Sequence, residues 1–383
     1  MFTFSVNTKD FLKILNKSAN ITSKNPKMEI YSLVRLELIN KELKLEAVGS
    51  SNYLITTIPA NFEVHSDPFL IKADLLIELL PLIKDEIVYL TYDSEGGTLE
   101  LKTSKTKQSI RTYNHFAKDF ITPIKTTDDV EVEFHILTKD FQKALRIANT
   151  SVGKPKAISD TKFTNICFSF PLDKKLTLVS TDKFRISKLN IDINHSVDFT
   201  ESRLYLLSPK SLALINSLVE NQESILFSFH SSYAWIDINT TKIAIQYGGH
   251  EYPDINRIIP QSFSYIYSVN TEELKDALKQ IGVIARKIEK SKAVMISVDG
   301  VGHVMKLESK APDGSSLTTD LPIFNYNGPE EVWQQSFNID YLLEFINQID
   351  DEKLVLEQQA GKVLISPEDK KDQVLYLASG LKS

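Results

Sequence analysis

The chain has 383 residues, of which 42% are hydrophobic and 25% charged, with a formal net charge of -6 and one cysteine. That length suits two or three domains, the composition excludes wholesale disorder, and the negative balance speaks against indiscriminate coating of nucleic acid while leaving room for a local basic face. There is no long apolar run and no basic-then-apolar leader, so the expected location is cytosolic.

The first element, "FSVNTKDFLKILNK", reads as a short strand followed by a helix capped at Thr8, with Asp10 in its first turn. At 100° per residue Phe11, Ile14, Leu15 and Ser18 share one face; Lys9, Lys13, Asn16, Lys17 and Asn20 lie opposite, without an acid. A loop with Lys24 leads to the hairpin signal "SLVRLELINKELKLEAVG". A second unit, "FLIKADLLIELLPLIKDEIVYLTYDSEGGTLELK", predicts strand, helix of about three turns and hairpin, with Asp74 and Glu78 making the helix acidic. The polar "KTTDDV" closes the period.

The pattern then restarts. An offset of 130 residues carries Phe4, Thr8, Lys9, Asp10, Phe11, Lys13 and Leu15 onto identical residues in "FHILTKDFQKALRI". The buried stripe is now Phe141, Ala144, Leu145 and Ala148, and the opposite stripe Lys139, Lys143, Arg146 and Thr150, following a cap at Thr138. Lys154 and Lys156 sit on the loop "SVGKPKAIS", and Cys167 in "NICFSF" reads as a small buried hydrophobe. In "STDKFRI", Asp182 and Arg185 can form a local pair. The next unit starts its helix at Pro209 and Lys210, and "GGHEYPD" reads as a turn leading to Pro253, since His250 and Glu251 lack the second histidine of a zinc protease.

After Pro260 and Gln261 a third copy begins, offset by a further 133 residues: "YSVNTEELKDALKQ", capped at Thr271. Here Glu272 and Asp276 stand where lysines stood and Lys279 remains. The hairpin "AVMISVDGVGHVMKLESK" and a last unit, "SFNIDYLLEFINQIDDEKLVLEQQAGKVLISP", with Asp340 and Glu344 on its helix, complete the chain. The prediction is an α+β protein of six strand-helix-hairpin units paired into three similar domains, residues 1–128, 129–260 and 261–383. A spacing near 130 is a domain period, too long for a solenoid. No Gly-rich phosphate loop, metal-ligand spacing or nucleophile-base constellation occurs, so no cofactor, metal or catalytic site is expected. Basic stripes in the same phase on two repeated helices suit a phosphate backbone.

The whole chain resembles the bacterial sliding clamp, the beta subunit of DNA polymerase III, as a divergent member. "LVSTDKFRISKL" is similar to that family's T-D-G-H-R-L segment, "EYPDINRIIP" to its P-D-x-x-R segment, and "SFNIDYLLEFINQI" to its F-N-x-x-Y helix. The resemblance implies a homodimeric ring of the DNA-clamp fold, helices inside and sheets outside, that encircles double-stranded DNA without reading sequence. Such a ring has no active site and tethers the replicative polymerase, clamp loader and other clamp-binding proteins. Lys9, Lys13, Lys17, Lys139, Lys143, Arg146, Lys210 and Lys279 would face DNA, with Lys24, Lys154 and Lys156 on loops near the rim. A partner-peptide pocket is implied at Thr164, Thr181, Lys183, Phe184, Arg185, Ile186, Pro253, Arg257, Ile258, Lys362 and Leu377, and a dimer contact at Val283 and Ile284. Lys183 and Phe184 replace the family's Gly and His, and the tail "LYLASGLKS" lacks its apolar-Pro-apolar ending. The alternative is a clamp-fold adaptor that binds peptides but no longer encircles DNA.

Overall fold

The computed structural model of the chain describes residues 1–23, 26–63, 65–123, 125, 129–155, 158, 160–172, 175–195, 201–219, 222–249, 251–288 and 291–381. Among them are six α-helices: α1 (Thr8–Ala19), α2 (Asp74–Leu79), α3 (Thr138–Asn149), α4 (Pro209–Leu218), α5 (Thr271–Ala285) and α6 (Ile339–Ile346). Each follows a strand, as predicted, but each is succeeded by a three-stranded antiparallel meander rather than a two-stranded hairpin; after α1 it comprises Leu33–Ile39, Glu42–Val48 and Asn52–Phe62. The first turn of that meander places Asn40 and Lys41 at φ of 53° and 62°, the conformation a two-residue hairpin needs to match strand twist.

The helix starts differ from prediction by one residue. Asn7 Oδ1 accepts from the backbone N–H groups of Lys9 and Asp10, and Asn270 does the same for Glu272 and Glu273. A cap must hold extended dihedrals, and Asn7 does (φ -66°, ψ 131°), whereas Thr8 is already helical and donates its hydroxyl to Asp85 O. Thr138 and Thr271 likewise begin their helices, with hydroxyls that have no partner among the described residues. The second-unit helices are shorter than three turns in two cases, with 6 residues in α2 and 8 in α6. In α2 the chain passes into a 3-10 turn, Leu80–Leu82, at Pro81, which has no N–H to continue the ladder.

The predicted stripes form the core. Phe11, Ile14, Leu15 and Ser18 are buried on α1, and Phe141, Ala144, Leu145 and Ala148 on α3. Each large apolar side chain so buried contributes about 1.5–3 kcal/mol. Thr150 is the exception: it lies past the end of α3, is buried, and its hydroxyl donates to Ile147 O.

The chain divides into two compact units, the first chiefly Met1–Thr138 and Lys210–Tyr247, the second chiefly Lys139–Ile193 and Gly248–Ser383. Within the first, Asn52–Phe62 pairs with Thr241–Gln246, Thr56 opposite Thr241. Within the second, Arg185–Ile191 pairs with Val374–Ser379, Ile186 opposite Leu377. Each pairing crosses a repeat boundary, so sheet runs on from one repeat to the next and the middle repeat is divided between the units. No helix among the described residues is long and apolar enough to cross a membrane.

Candidate functional site

In the first unit, the outward face of α1 forms one wall of a cleft of about 530 Å³, whose other side is the end of α4 and the turn at Ile238 and Asn239. Lys9 and Lys13 are exposed and have no ion-pair partner among the described residues. Lys17, half-buried, donates from Nζ to Thr241 Oγ1 at 2.7 Å, and that oxygen is 2.9 Å from Thr56 Oγ1. Asn16, Asn20 and Asn239 add amide groups, and no carboxylate lines the cleft among the described residues. Lys210 is exposed at the start of α4.

The repeat-related helices of the second unit are not equivalent. On α3, Lys139 and Arg146 are exposed, but Lys143 is 3.9 Å from Asp351, a carboxylate also paired with Lys370. On α5, Lys279 is paired with Asp276 at 3.0 Å. Lys275, which the helical-face reading passed over, is only 8% exposed and is held by Glu272 at 2.7 Å and Ile349 O at 2.8 Å. Lys154 is exposed, and Lys24 and Lys156 lie outside the described residues.

The expected pocket residues, all in the second unit, separate into a floor, a turn and a rim. Ile186 and Leu377 are floor: they face each other across paired strands and are buried with Cys167, Val179, Leu206, Ile255 and Leu364. Their register places both side chains in this buried cluster beneath the turn. Burial raises the Cys167 thiol to about 12.

The turn is built by Thr181 and Asp182. Thr181 donates its hydroxyl to Arg185 O and accepts from Lys183 N, while Asp182 Oδ1 accepts from the backbone N–H groups of Phe184 and Arg185. Lys183 adopts φ +79°, the left-handed region that the family's glycine would occupy without steric cost. Its ammonium lies 4.8 Å from the Phe163 ring centroid, and Phe184 is left 60% exposed. The predicted Asp182–Arg185 pair forms at 2.9 Å.

Arg185 does more than close this pair: only 5% exposed, it lies 4.2 Å from the Tyr341 ring centroid and bonds Glu344 through Nη1. Burial opposes its charge, but Tyr376, Glu344 and Asp182 together hold its pKa above the ordinary arginine value. Asp340, whose partial burial raises its pKa, is held below the usual carboxylate range by Lys292 and Arg286. These residues enclose a cleft of about 230 Å³ lined also by Val152, Lys154 and Asn338. Asn338 and Tyr341 were not singled out from sequence, although they stand in the quoted F-N-x-x-Y helix; Asp340 and Glu344 read only as acids on that helix.

The rim carries exposed Ile258 and half-buried Thr164 and Pro253. Arg257 is exposed and paired with Asp254 at 3.1 Å, and Lys362 Nζ donates to Ile258 O at 2.9 Å. Elsewhere on the second unit, Val283 is 66% exposed and Ile284 half-buried near the end of α5. Among the described residues, no group of three or more His, Cys, Asp or Glu is placed to hold a metal.

A family model of the DNA polymerase III beta subunit, C-terminal domain, matches residues 256–377. The beta sliding clamp of Vibrio cholerae is 19% identical over 377 residues, covering 98% of both chains. That of Borreliella burgdorferi is 24% identical over 243 residues, covering 62% of this chain and 59% of its own length. The crystal structure of the DNA polymerase sliding clamp from Bacillus subtilis superposes with a TM-score of 0.89 at 14% identity, over 100% of this chain and 99% of that one. With the threefold repeat and the meander after every helix among the described residues, the chain has the fold of the bacterial sliding clamps, resembles them in sequence along its length, and matches their C-terminal domain over residues 256–377.

Proposed function

We propose that two copies of this chain close into a ring that encircles duplex DNA and tethers the replicative polymerase, the clamp loader and other partners in the cytoplasm. It has no catalysis of its own, and its three domains correspond to residues 1–128, 129–260 and 261–383. The observation that carries this reading is the exposed pair Lys9 and Lys13 on α1, with no ion-pair partner among the described residues, in a chain whose relatives are named as sliding clamps. Exposed cations of this kind contact phosphates weakly and without reading sequence, as a sliding ring requires.

Two sheet edges support closure. Lys107–Arg111 ends the sheet path of the first unit, and Ser316–Pro322 lies at an edge of the four-stranded sheet in the second. The first carries Lys107 and Arg111 and the second Asp320, so head-to-tail pairing between copies would bring opposite charges together, with Val283 and Ile284 adding apolar contact. Phe184 and Ile258 would receive the apolar anchors of partner peptides, since a few such side chains carry most of the energy of a short peptide.

Light scattering at micromolar concentration should report a dimer, and loading on nicked circular DNA with a clamp loader should give retention that is lost on linearisation. A strictly monomeric chain, or equal retention on linear and circular DNA, defeats the ring. The internally paired cations of α5 favour the adaptor as second reading. Charge reversal of Lys9 and Lys13 separates them: a clamp loses loading, an adaptor keeps peptide binding and shows no DNA phenotype.

A further inference from the structure

We infer that Gln335 is a positioning residue for the candidate peptide pocket: it anchors the segment Gly380 and Leu381, and through that segment fixes the two exposed apolar rim residues, Phe184 and Ile258. This rests on the peptide-pocket reading above and adds what holds the rim in place.

The three residues that follow Ala378 each donate a backbone N–H to a different part of the second unit. Ser379 donates to Phe184 O at 2.9 Å, Gly380 to Gly361 O at 2.7 Å and Leu381 to Ser336 O at 2.7 Å. The first of these bonds adds one rung to the pairing of Arg185–Ile191 with Val374–Ser379, in which Arg185 stands opposite Ala378. On its other side Ser379 stands opposite Lys362, whose Nζ donates to Ile258 O at 2.9 Å. A single rung of Phe184, Ser379 and Lys362 therefore carries both residues that would receive a partner's apolar anchors. The last rung of a ladder opens easily unless the residues beyond it are tied down.

Gln335, half-buried on the strand Trp333–Asn338, ties them. Its Nε2 donates to Leu381 O at 2.9 Å and to Ser336 O at 3.2 Å, which uses both amide hydrogens and joins the segment to the strand edge. The amide lies so close to Gly380 that a Cβ there would stand 2.5 Å from its Cδ and Nε2, an approach that glycine alone permits. Gly361 turns at φ +73° beside the same amide, and a Cβ on it would lie 3.4 Å from Oε1. Phe184 and Ile258 are 60% and 40% exposed, so side-chain packing does little to aim them and the backbone bonds must. A rim fixed before a peptide arrives loses less conformational freedom on binding.

The test uses the full chain and two readouts: hydrogen exchange at the Ser379, Gly380 and Leu381 amides, and the affinity of a fluorescein-labelled heptapeptide with leucine and phenylalanine anchors on a glycine-serine frame. Gln335→Ala should quicken exchange at the three amides about tenfold, as for the loss of one or two hydrogen bonds, and weaken the peptide about fivefold, with the urea midpoint at the parent value. Gln335→Glu, equal in size but without the amide hydrogens, should do the same, and so should Gly380→Ala, which displaces the amide from the facing side. Unchanged exchange in these variants overturns the anchor. Quickened exchange or a lowered urea midpoint with unchanged affinity reduces Gln335 to a structural part and overturns the positioning role. If the parent chain does not bind the peptide, the pocket reading fails and takes the positioning role with it; if parent and variants bind it equally, the positioning role alone is wrong.

Discussion

Replacing Arg185 by Met tests whether the turn at 181–186 is held from beneath by α6. The substitution keeps much of the side-chain volume and removes the guanidinium from Asp182, Glu344 and the Tyr341 ring. Breaking a buried ion pair costs about 3–5 kcal/mol because the abandoned partner stays buried. Asp182 is 10% exposed and qualifies, but its Oδ1 retains two backbone donors, and Glu344, at 45%, can turn to water. The lower end therefore applies, about 3 kcal/mol with the ring contact included. Equilibrium urea unfolding should show this loss, and hydrogen exchange at the Phe184 and Arg185 amides should quicken because both donate to Asp182. Glu344→Gln should cost under about 1 kcal/mol. Arg185→Met with Asp182→Asn should recover part of the loss, since no charge is then left buried and the amide oxygen can still accept from the Phe184 and Arg185 N–H groups. If Arg185→Met unfolds within about 1 kcal/mol of the parent, well under the buried-pair range, the turn is not held in this way.

Three further outcomes follow from the same unit. Phe184→Ala should leave stability within about 0.5 kcal/mol, as for an exposed site, yet weaken an apolar-anchored partner peptide at least about tenfold by calorimetric titration; unchanged affinity removes Phe184 from the pocket. Asp340, with its folded pKa depressed, contributes stability that is present above its unfolded value near 3.9 and is lost as pH falls through the folded pKa. The stability gap between parent and Asp340→Asn should accordingly shrink below about pH 4, and a gap constant to pH 2.5 contradicts the assignment. Cys167, buried and with its pKa pushed up to about 12, should resist a thiol reagent at pH 8 until urea unfolds the chain; prompt native labelling would show that the thiol is accessible.

Much of the architecture was legible in the sequence because it depends on period. The 3.6-residue spacing of Phe11, Ile14, Leu15 and Ser18 allows only one buried face, and its return at Phe141, Ala144, Leu145 and Ala148 exposes the repeat. Alternating runs around "INKE" needed only a two-residue turn. The starts of α1 and α5 were displaced because Asn and Thr stand adjacent there and either can cap; backbone dihedrals decide between them.

Which charges are available to a partner was decided only by tertiary structure. Lys13 and Lys143 are identical by sequence, both outward on repeated helices after the same motif. Asp351, far along the chain, pairs with Lys143, while Lys13 has no ion-pair partner among the described residues. Likewise Arg185 reads as half of a local pair, and only the fold brings Tyr341 and Glu344 to it. Local periodicity specifies which face of an element is buried. Pairing between distant carboxylates and cations depends on chain segments meeting in space, and one sequence read alone carries no record of that meeting.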